Sequence, residues 1–327
     1  MEQEKTFCKE LQDCKEIDLR DNRGKRHKMW LVLLSLTLGL LRKRDGNLSS
    51  LHRSIANTNN DLCNFLKIEN EGVISRSQLP ILLQKVNLLC FEKLLFKHYG
   101  IELSEEEKSW FSGDGKELRG SIETGDKRGT AIVQLVRQSD KAVLGQNFYE
   151  GKKESEKPTL RDLIKQTGAS SEKITADALH LNPEMTELIA GNGGIFMIGL
   201  KENQKELLAD MRKDASFLTP VNQLVTTQKG HGRIDRRSYF HYDVSWEYFD
   251  ERWSKSNFQS LFKVIRERYN LTTGKTSTET AFYISNGKYE ETEDYFGALR
   301  NHWAVEVNNH IRDVTLNEDR LRTKKRV

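Results

Sequence analysis

The chain has 327 residues, 52 Lys and Arg against 48 Asp and Glu, and a hydrophobic fraction of 36%. That length suits one catalytic core with an accessory domain, and a formal charge of +4 is too small to identify a polyanionic partner, so local clusters carry that question. Four cysteines, Cys8, Cys14, Cys63 and Cys90, form no C-x-x-C pair, which disfavours a disulfide framework or a zinc site. Cys63 and Cys90, in apolar stretches, read as buried free thiols of a reducing cytoplasm.

Helical spacing dominates up to about Leu103. The run Trp30 to Leu41 reads as a buried helix, being too short to span a bilayer and lacking a signal-peptide pattern after it. Leu51 to Leu66 and Gln78 to Tyr99 continue the pattern. A helical N-terminal domain over residues 1–103 is therefore expected, bounded by the acidic stretch that starts at Ser104. The remainder, 104–327, turns to short β-type segments. One around Trp110 ends at Asp114, followed by Thr130 to Arg137 and Lys141 to Tyr149, then a helix from Pro158 to Gln166. A fourth strand at Lys173 to Thr175 leads into Asp177, a helix covers Pro183 to Ala190, and Gly194 to Leu200 reads as a fully buried strand. The order βββαβαβ matches an RNase H-like α/β core. A β-rich insertion spans about 202–287, with strands at Arg237 to Trp246, Phe258 to Tyr269 and Thr280 to Ser285. Helical spacing returns from Asp294 to about Val314, with Trp303, Val307, Ile311 and Val314 on a buried face and Glu306 on the polar stripe beside it.

Three acidic residues stand in distinctive settings: Asp114 in Gly113-Asp114-Gly115-Lys116, Asp177 in Thr175-Ala176-Asp177-Ala178-Leu179-His180, and Glu306 after His302-Trp303. Carboxylates at the ends of adjacent strands can share a divalent ion, because neighbouring strands run about 5 Å apart. A pair of Mg²⁺ or Mn²⁺ ions so held suits phosphodiester chemistry. Taken singly, Asp114 reads equally as a turn residue before Gly115 and Asp177 as a helix cap. Basic clusters at Arg23 to Lys28, Leu41 to Arg44, Lys229 to Arg237 and Arg320 to Arg326 make phosphate contact a reasonable expectation. Neither a P-loop nor a G-x-S-x-G elbow is present, so neither a nucleotide cofactor nor a serine nucleophile is expected.

The order of short motifs carries a resemblance. Asp21 to His27, Asp114 to Ser121, Thr175 to His180, Leu200-Lys201-Glu202-Asn203-Gln204, Gly230 to Arg237, and Arg300 to Trp303 leading to Glu306 together resemble the DDE-type insertion-sequence transposases of bacteria, in the group that includes the H-repeat-associated proteins. The resemblance implies that Asp114, Asp177 and Glu306 form the catalytic, metal-binding triad within an RNase H-like fold with a β-rich insertion. It also implies DNA contact by Lys116, Arg119, Lys201, Asn203, Gln204, His231, Arg233, Arg236, Arg237 and His302. Terminal inverted repeats and target DNA are the implied partners, with a dimer on DNA, no membrane association, and a place in the bacterial cytoplasm at the nucleoid. After Glu306 the chain reads Val307-Asn308-Asn309-His310 where the family commonly has Asn and then Leu-His-Trp, and it stops at Val327 where many relatives continue, as a shortened copy does. Trp246 and Trp253 in the insertion are expected to serve core packing. Two further readings follow from the same residues: a non-catalytic DNA-binding derivative of a transposase, and a stand-alone metal-dependent nuclease.

Overall fold

A computed structural model describes residues 6–320 apart from 22, 24, 44–46, 102, 105–106, 123, 151–152, 245–248 and 289–291. Trp246 and the basic tail beyond Arg320 lie outside the described residues, as do parts of the Arg23 to Lys28 and Leu41 to Arg44 clusters. By internal contacts the chain divides into two compact units, one of Met1–Glu102, Glu117–Thr130 and Asn309–Val327, the other of Leu103–Lys116 and Ala131–Asn308.

The first unit contains α1 (Phe7–Asp13), α2 (Met29–Lys43), α3 (Leu48–Leu66), α4 (Gln78–Leu83) and α5 (Leu88–His98). Its core gathers Leu11, Met29, Leu33, Leu51, Ile55 and Leu79. Helix α2 is buried along only part of its surface. Val32 to Leu34 and Leu36 are covered, but Leu38, Leu40 and Leu41 are exposed, because an α-helix turns through one face in every 3.6 residues even when its sequence is apolar all round. The apolar stretch from Gln78 to Tyr99 forms two helices rather than one. Between them Asn87 accepts from the Cys90 amide at 3.2 Å as the cap of α5, and Val86 bridges Asp18 in extended conformation.

The second unit carries one nine-stranded sheet in the order β3-β2-β1-β4-β5-β9-β8-β7-β6. Its strands are β1 (Trp110–Glu117), β2 (Thr130–Arg137), β3 (Val143–Glu150), β4 (Lys173–Ala176), β5 (Ile195–Leu200), β6 (Asn222–Gly230), β7 (Arg233–Asp243), β8 (Ser260–Asn270) and β9 (Thr276–Ser285). Helices α6 (Lys153–Gln166), α7 (Pro183–Gly191) and α8 (Lys205–Phe217) alternate with the strands, and α9 (Thr292–Asn301) and α10 (Ala304–His310) follow them. Strands β1, β4 and β5 run parallel, and β5 is apolar throughout, as a strand covered on both faces must be, whereas β1 turns polar after Phe111 and is only half-buried from Asp114 onward. The insertion does not form a separate sheet. Its strand β9 pairs antiparallel with β5, from Met197 opposite Ser285 to Leu200 opposite Phe282, so the inserted strands extend the central sheet. Helix α8 and strand β6 had no clear sequence signature: β6 is polar and exposed along nearly its whole length because it is the edge strand.

Two local expectations are corrected. Strand β1 does not end at Asp114 but continues to Glu117, so Gly113-Asp114-Gly115 lies within a strand and not in a turn. The closing helix breaks at His302 and Trp303, which resets the helical register. Ala304 and Val305 are buried against Val136, while Trp303, Val307, Ile311 and Val314, expected to be buried, are exposed.

Candidate active site

The site is built where β4 ends beside the middle of β1. The last register pair is Gly113 opposite Ala176, so the next residues, Asp114 within β1 and Asp177 just past β4, lie on neighbouring parallel paths. Both are half-buried. Asp177 also caps the turn Ala178–His180, accepting from the Leu179 amide at 2.6 Å, as the cap reading expects. Burial and then the Glu156 charge, with a smaller push from Asp177, raise the Asp114 carboxyl to about 7, against opposition from the Gly115 amide and His180.

Glu156, on α6, had no sequence signal. It is buried, and its carboxylate accepts from Tyr149 Oη at 2.9 Å and faces His180 Nε2 at 3.1 Å. Helix α6 runs so close to β1 that a Cβ at position 115 would lie 2.6 Å from the Glu156 carboxyl carbon, and one at position 113 would lie 2.8 Å from Leu160. Both glycines therefore flank Asp114 because the helix leaves no room for a side chain.

Below the acidic pair lies a buried polar network. Thr175 Oγ1 lies 3.1 Å from Ser112 Oγ on β1, 3.0 Å from Gln138 Nε2 and 2.9 Å from His302 Nδ1, and donates to the Phe111 carbonyl. Gln138 Nε2 also donates to the Ala298 carbonyl of α9. These contacts fix the break between α9 and α10 against the strand that carries Asp177. Burial, opposed by Asp177, holds His302 down to about 4, so its imidazole is neutral near pH 7. Glu306 is exposed on the first turn of α10. Desolvation raises its carboxyl, and the charge opposing that shift is Arg266 of β8. Asp114 and Asp177 are thus brought together, whereas Glu306 answers to an arginine. Among the described residues no three His, Cys, Asp or Glu side chains are arranged to hold a metal ion.

Residues 101–327 match the family described as Transposase DDE domain. The chain belongs to that family. Relatives at the sequence level include the Escherichia coli K12 protein YbfL, 28% identical over 228 residues that cover 66% of this chain and 59% of that protein. YhhI of the same strain, named as an H repeat-associated candidate transposase, is 27% identical with the same coverage, and the candidate transposase YncI of Escherichia coli O157:H7 is 24% identical over 78% of this chain and 67% of its own. The chain spans 59% of the length of the first two. Among solved structures, a sugar N-methyltransferase from a Streptoalloteichus species aligns at 11% identity over 44% of this chain and 59% of its own, with a TM-score of 0.17, too low to bear on the fold.

In this DDE transposase domain the remaining candidate residues divide by what their side chains touch. Asn203 and Gln204 donate to the carbonyls of Ala178 and Leu181, at 2.6 and 2.9 Å, and so hold the turn after Asp177. Lys201 is exposed, and its charge reaches His302. Lys116 is half-buried on β1. Arg119 belongs to the first unit, where it is exposed and lies 3.9 Å from Asp319. His231 is exposed at the tip of the hairpin from β6 to β7, where it and Gly232 both have positive φ. Trp253 is fully buried beside Phe258, as its packing role requires.

Arginines from β7, β8 and α9 line an open cleft of about 520 Å³, in which Arg233, Arg236, Arg237, Arg266, Arg268 and Arg300 outnumber Asp235, Glu267 and Glu279. Arg233 pairs with Asp235 at 3.0 Å and Arg236 with Glu267 at 3.4 Å. Arg237 sits directly opposite Arg266 in the ladder, a like-charge pair whose repulsion is offset by Glu279, 3.7 Å from Arg266 on the neighbouring strand. Exposed Trp303 lies on the same cleft. Arg266 and Arg268 escaped sequence reasoning, because only strand register places them beside β7, and Arg300 and Trp303, noted there as part of a motif, were not expected to share this cleft.

Proposed function

We propose that the chain is a DNA transposase that binds the terminal inverted repeats of its element, nicks the strands and joins the freed 3′-hydroxyl ends to target DNA by metal-dependent phosphoryl transfer. The observation that carries this reading is the parallel register that ends with Gly113 opposite Ala176, the residues directly before Asp114 and Asp177. The order β3-β2-β1-β4-β5 supports an RNase H-like core, with β6 to β9 as its insertion. A half-buried carboxylate pair with Asp114 raised to about 7 fits a divalent cation, since ionising both groups there is costly until a cation offsets their charge. Asp114 and Asp177 would hold it. When bound, Mg²⁺ or Mn²⁺ supplies Lewis acidity toward the phosphodiester and toward water. Neutral His302 orients the α9–α10 break, and the arginine cleft takes flanking phosphates without reading bases. Recognition of the element's ends falls to the helices within residues 7–98, and pairing of two ends calls for a dimer on DNA.

Asp114→Asn, Asp177→Asn and Glu306→Gln are each expected to abolish Mg²⁺-dependent nicking of a terminal-repeat duplex while end binding persists. Normal cleavage by any one of them removes that residue from the triad. A catalytically silent DNA-binding derivative is the second reading, favoured by the placement of Glu306 toward Arg266. Nicking by the unaltered chain eliminates it, and nicking without strand joining leaves a stand-alone nuclease.

A further inference from the structure

Glu156 holds a buried charge that its hydrogen bonds do not require. Its two carboxylate oxygens face Tyr149 Oη and His180 Nε2. A glutamine could make both contacts, accepting from the imidazole and donating to the phenol oxygen, at a lower cost of burial. His180 is fully buried, and its Nδ1 has no hydrogen-bond partner among the described residues, so the pair is not arranged for its own satisfaction. The carboxylate instead lies directly behind Gly115, the residue after Asp114, where only the absent side chain of a glycine admits it. His180 in turn closes the turn capped by Asp177, its amide donating to the Asp177 carbonyl at 3.1 Å. One side chain thus backs the strand that bears the first acid and braces the turn that bears the second.

We propose that Glu156 is a positioning residue, a fixed anion behind Asp114 and Asp177 that sets the affinity of that pair for a divalent cation without ligating the cation itself. The inference rests on the cation-binding reading of the pair. Each Glu156 oxygen already faces a partner, Tyr149 or His180, which suits a role behind the pair better than one as a ligand. Its charge still acts across the short distance to Asp114, in a setting where the protein screens poorly. Outer partners of this kind commonly change metal affinity by about 10-fold to 100-fold.

The test is titration of the full chain with Mn²⁺ alone at pH 8.5, above the Asp114 value of about 7 so that proton competition is small. Free Mn²⁺ is read by electron paramagnetic resonance, and folding by thermal melting. Glu156→Gln is expected to bind Mn²⁺ about tenfold or more weakly while melting no lower than the unaltered protein. Tyr149→Phe keeps the charge and removes a donor that offsets it, so it is expected to bind Mn²⁺ no more weakly than the unaltered chain; weaker binding by it would overturn the role given to the charge, and it serves as the second variant if Glu156→Gln folds poorly. Asp114→Asn separates the two ideas. If it binds Mn²⁺ normally, the cation-binding reading fails. If it loses binding while Glu156→Gln binds as the unaltered chain does, the role given to Glu156 is overturned.

Discussion

Where β4 ends beside β1, like charges are crowded inside the protein, whereas along β7 and β8 they are spread over strands that face a cleft. Asp114, Asp177 and Glu156 are held by parallel register, by glycines with no room for a Cβ and by buried hydrogen bonds. The arginines are placed by the pleat and by ion pairs such as Arg233 with Asp235 and Arg236 with Glu267, and several of them share the same opening. Crowding makes each acidic position intolerant of change, while redundancy makes each basic position individually dispensable.

The comparison breaks most decisively at Gly115. Gly115→Val should cost about 1–3 kcal/mol through overpacking against Glu156 and should abolish nicking, because the added side chain displaces the Glu156 carboxylate from behind Asp114. Chemical denaturation and a nicking assay check both parts. A fully active, equally stable variant would mean that α6 yields easily and that the acidic pair is not tightly held.

A second effect is expected in the pH dependence of stability. The folded Asp114 carboxyl is raised to about 7 from an ordinary value of 3.8, so the folded state binds its proton more tightly than the unfolded state. This contribution is complete below about pH 4 and is lost as pH climbs through about 7. Asp114→Asn should therefore gain melting temperature relative to the parent from about pH 4 to about 7, with the gain levelling off above that. Parallel melting curves at all pH values would show that Asp114 ionises without penalty.

The smallest effects belong to the cleft. Changing Arg233, Arg236 and Arg237 together to Ala should weaken DNA binding alike across sequences and lower the salt slope by roughly one unit per lost phosphate contact. The ion pairs of Arg233 and Arg236 suggest how this could fail. If the triple variant melts early while its folded fraction keeps the parental slope, these arginines hold the strands together and the DNA contact lies elsewhere.

Sequence periodicity located β5 because it is apolar throughout, whereas β1 and β4 mix apolar and polar residues and were legible as short β-type segments leading into Asp114 and Asp177. It described the insertion less fully, since β6 and α8 are polar and depend on tertiary context. Asp114 and Asp177 were legible from their flanking residues, and the structure adds their adjacency. Glu156 was not legible, because a glutamate in the polar opening of α6 looks like any solvated helical residue until the fold brings it behind Gly115. The break at Trp303 was missed for a related reason: hydrophobic spacing records what a continuous helix would bury, not where the chain turns between α9 and α10.

The pairing of β9 with β5 bears on how the chain can be dissected. Strand β5 is apolar and covered along its length, and β9 occupies the side not taken by β4. Excising residues 202–287 to obtain a minimal catalytic core would uncover Met197 to Leu200 as a row of unpaired backbone groups on an apolar edge, a template for intermolecular strand addition. The insertion is thus an edge guard as well as a carrier of arginines, and a trimmed enzyme would need a substitute strand or a charged edge residue to stay monodisperse.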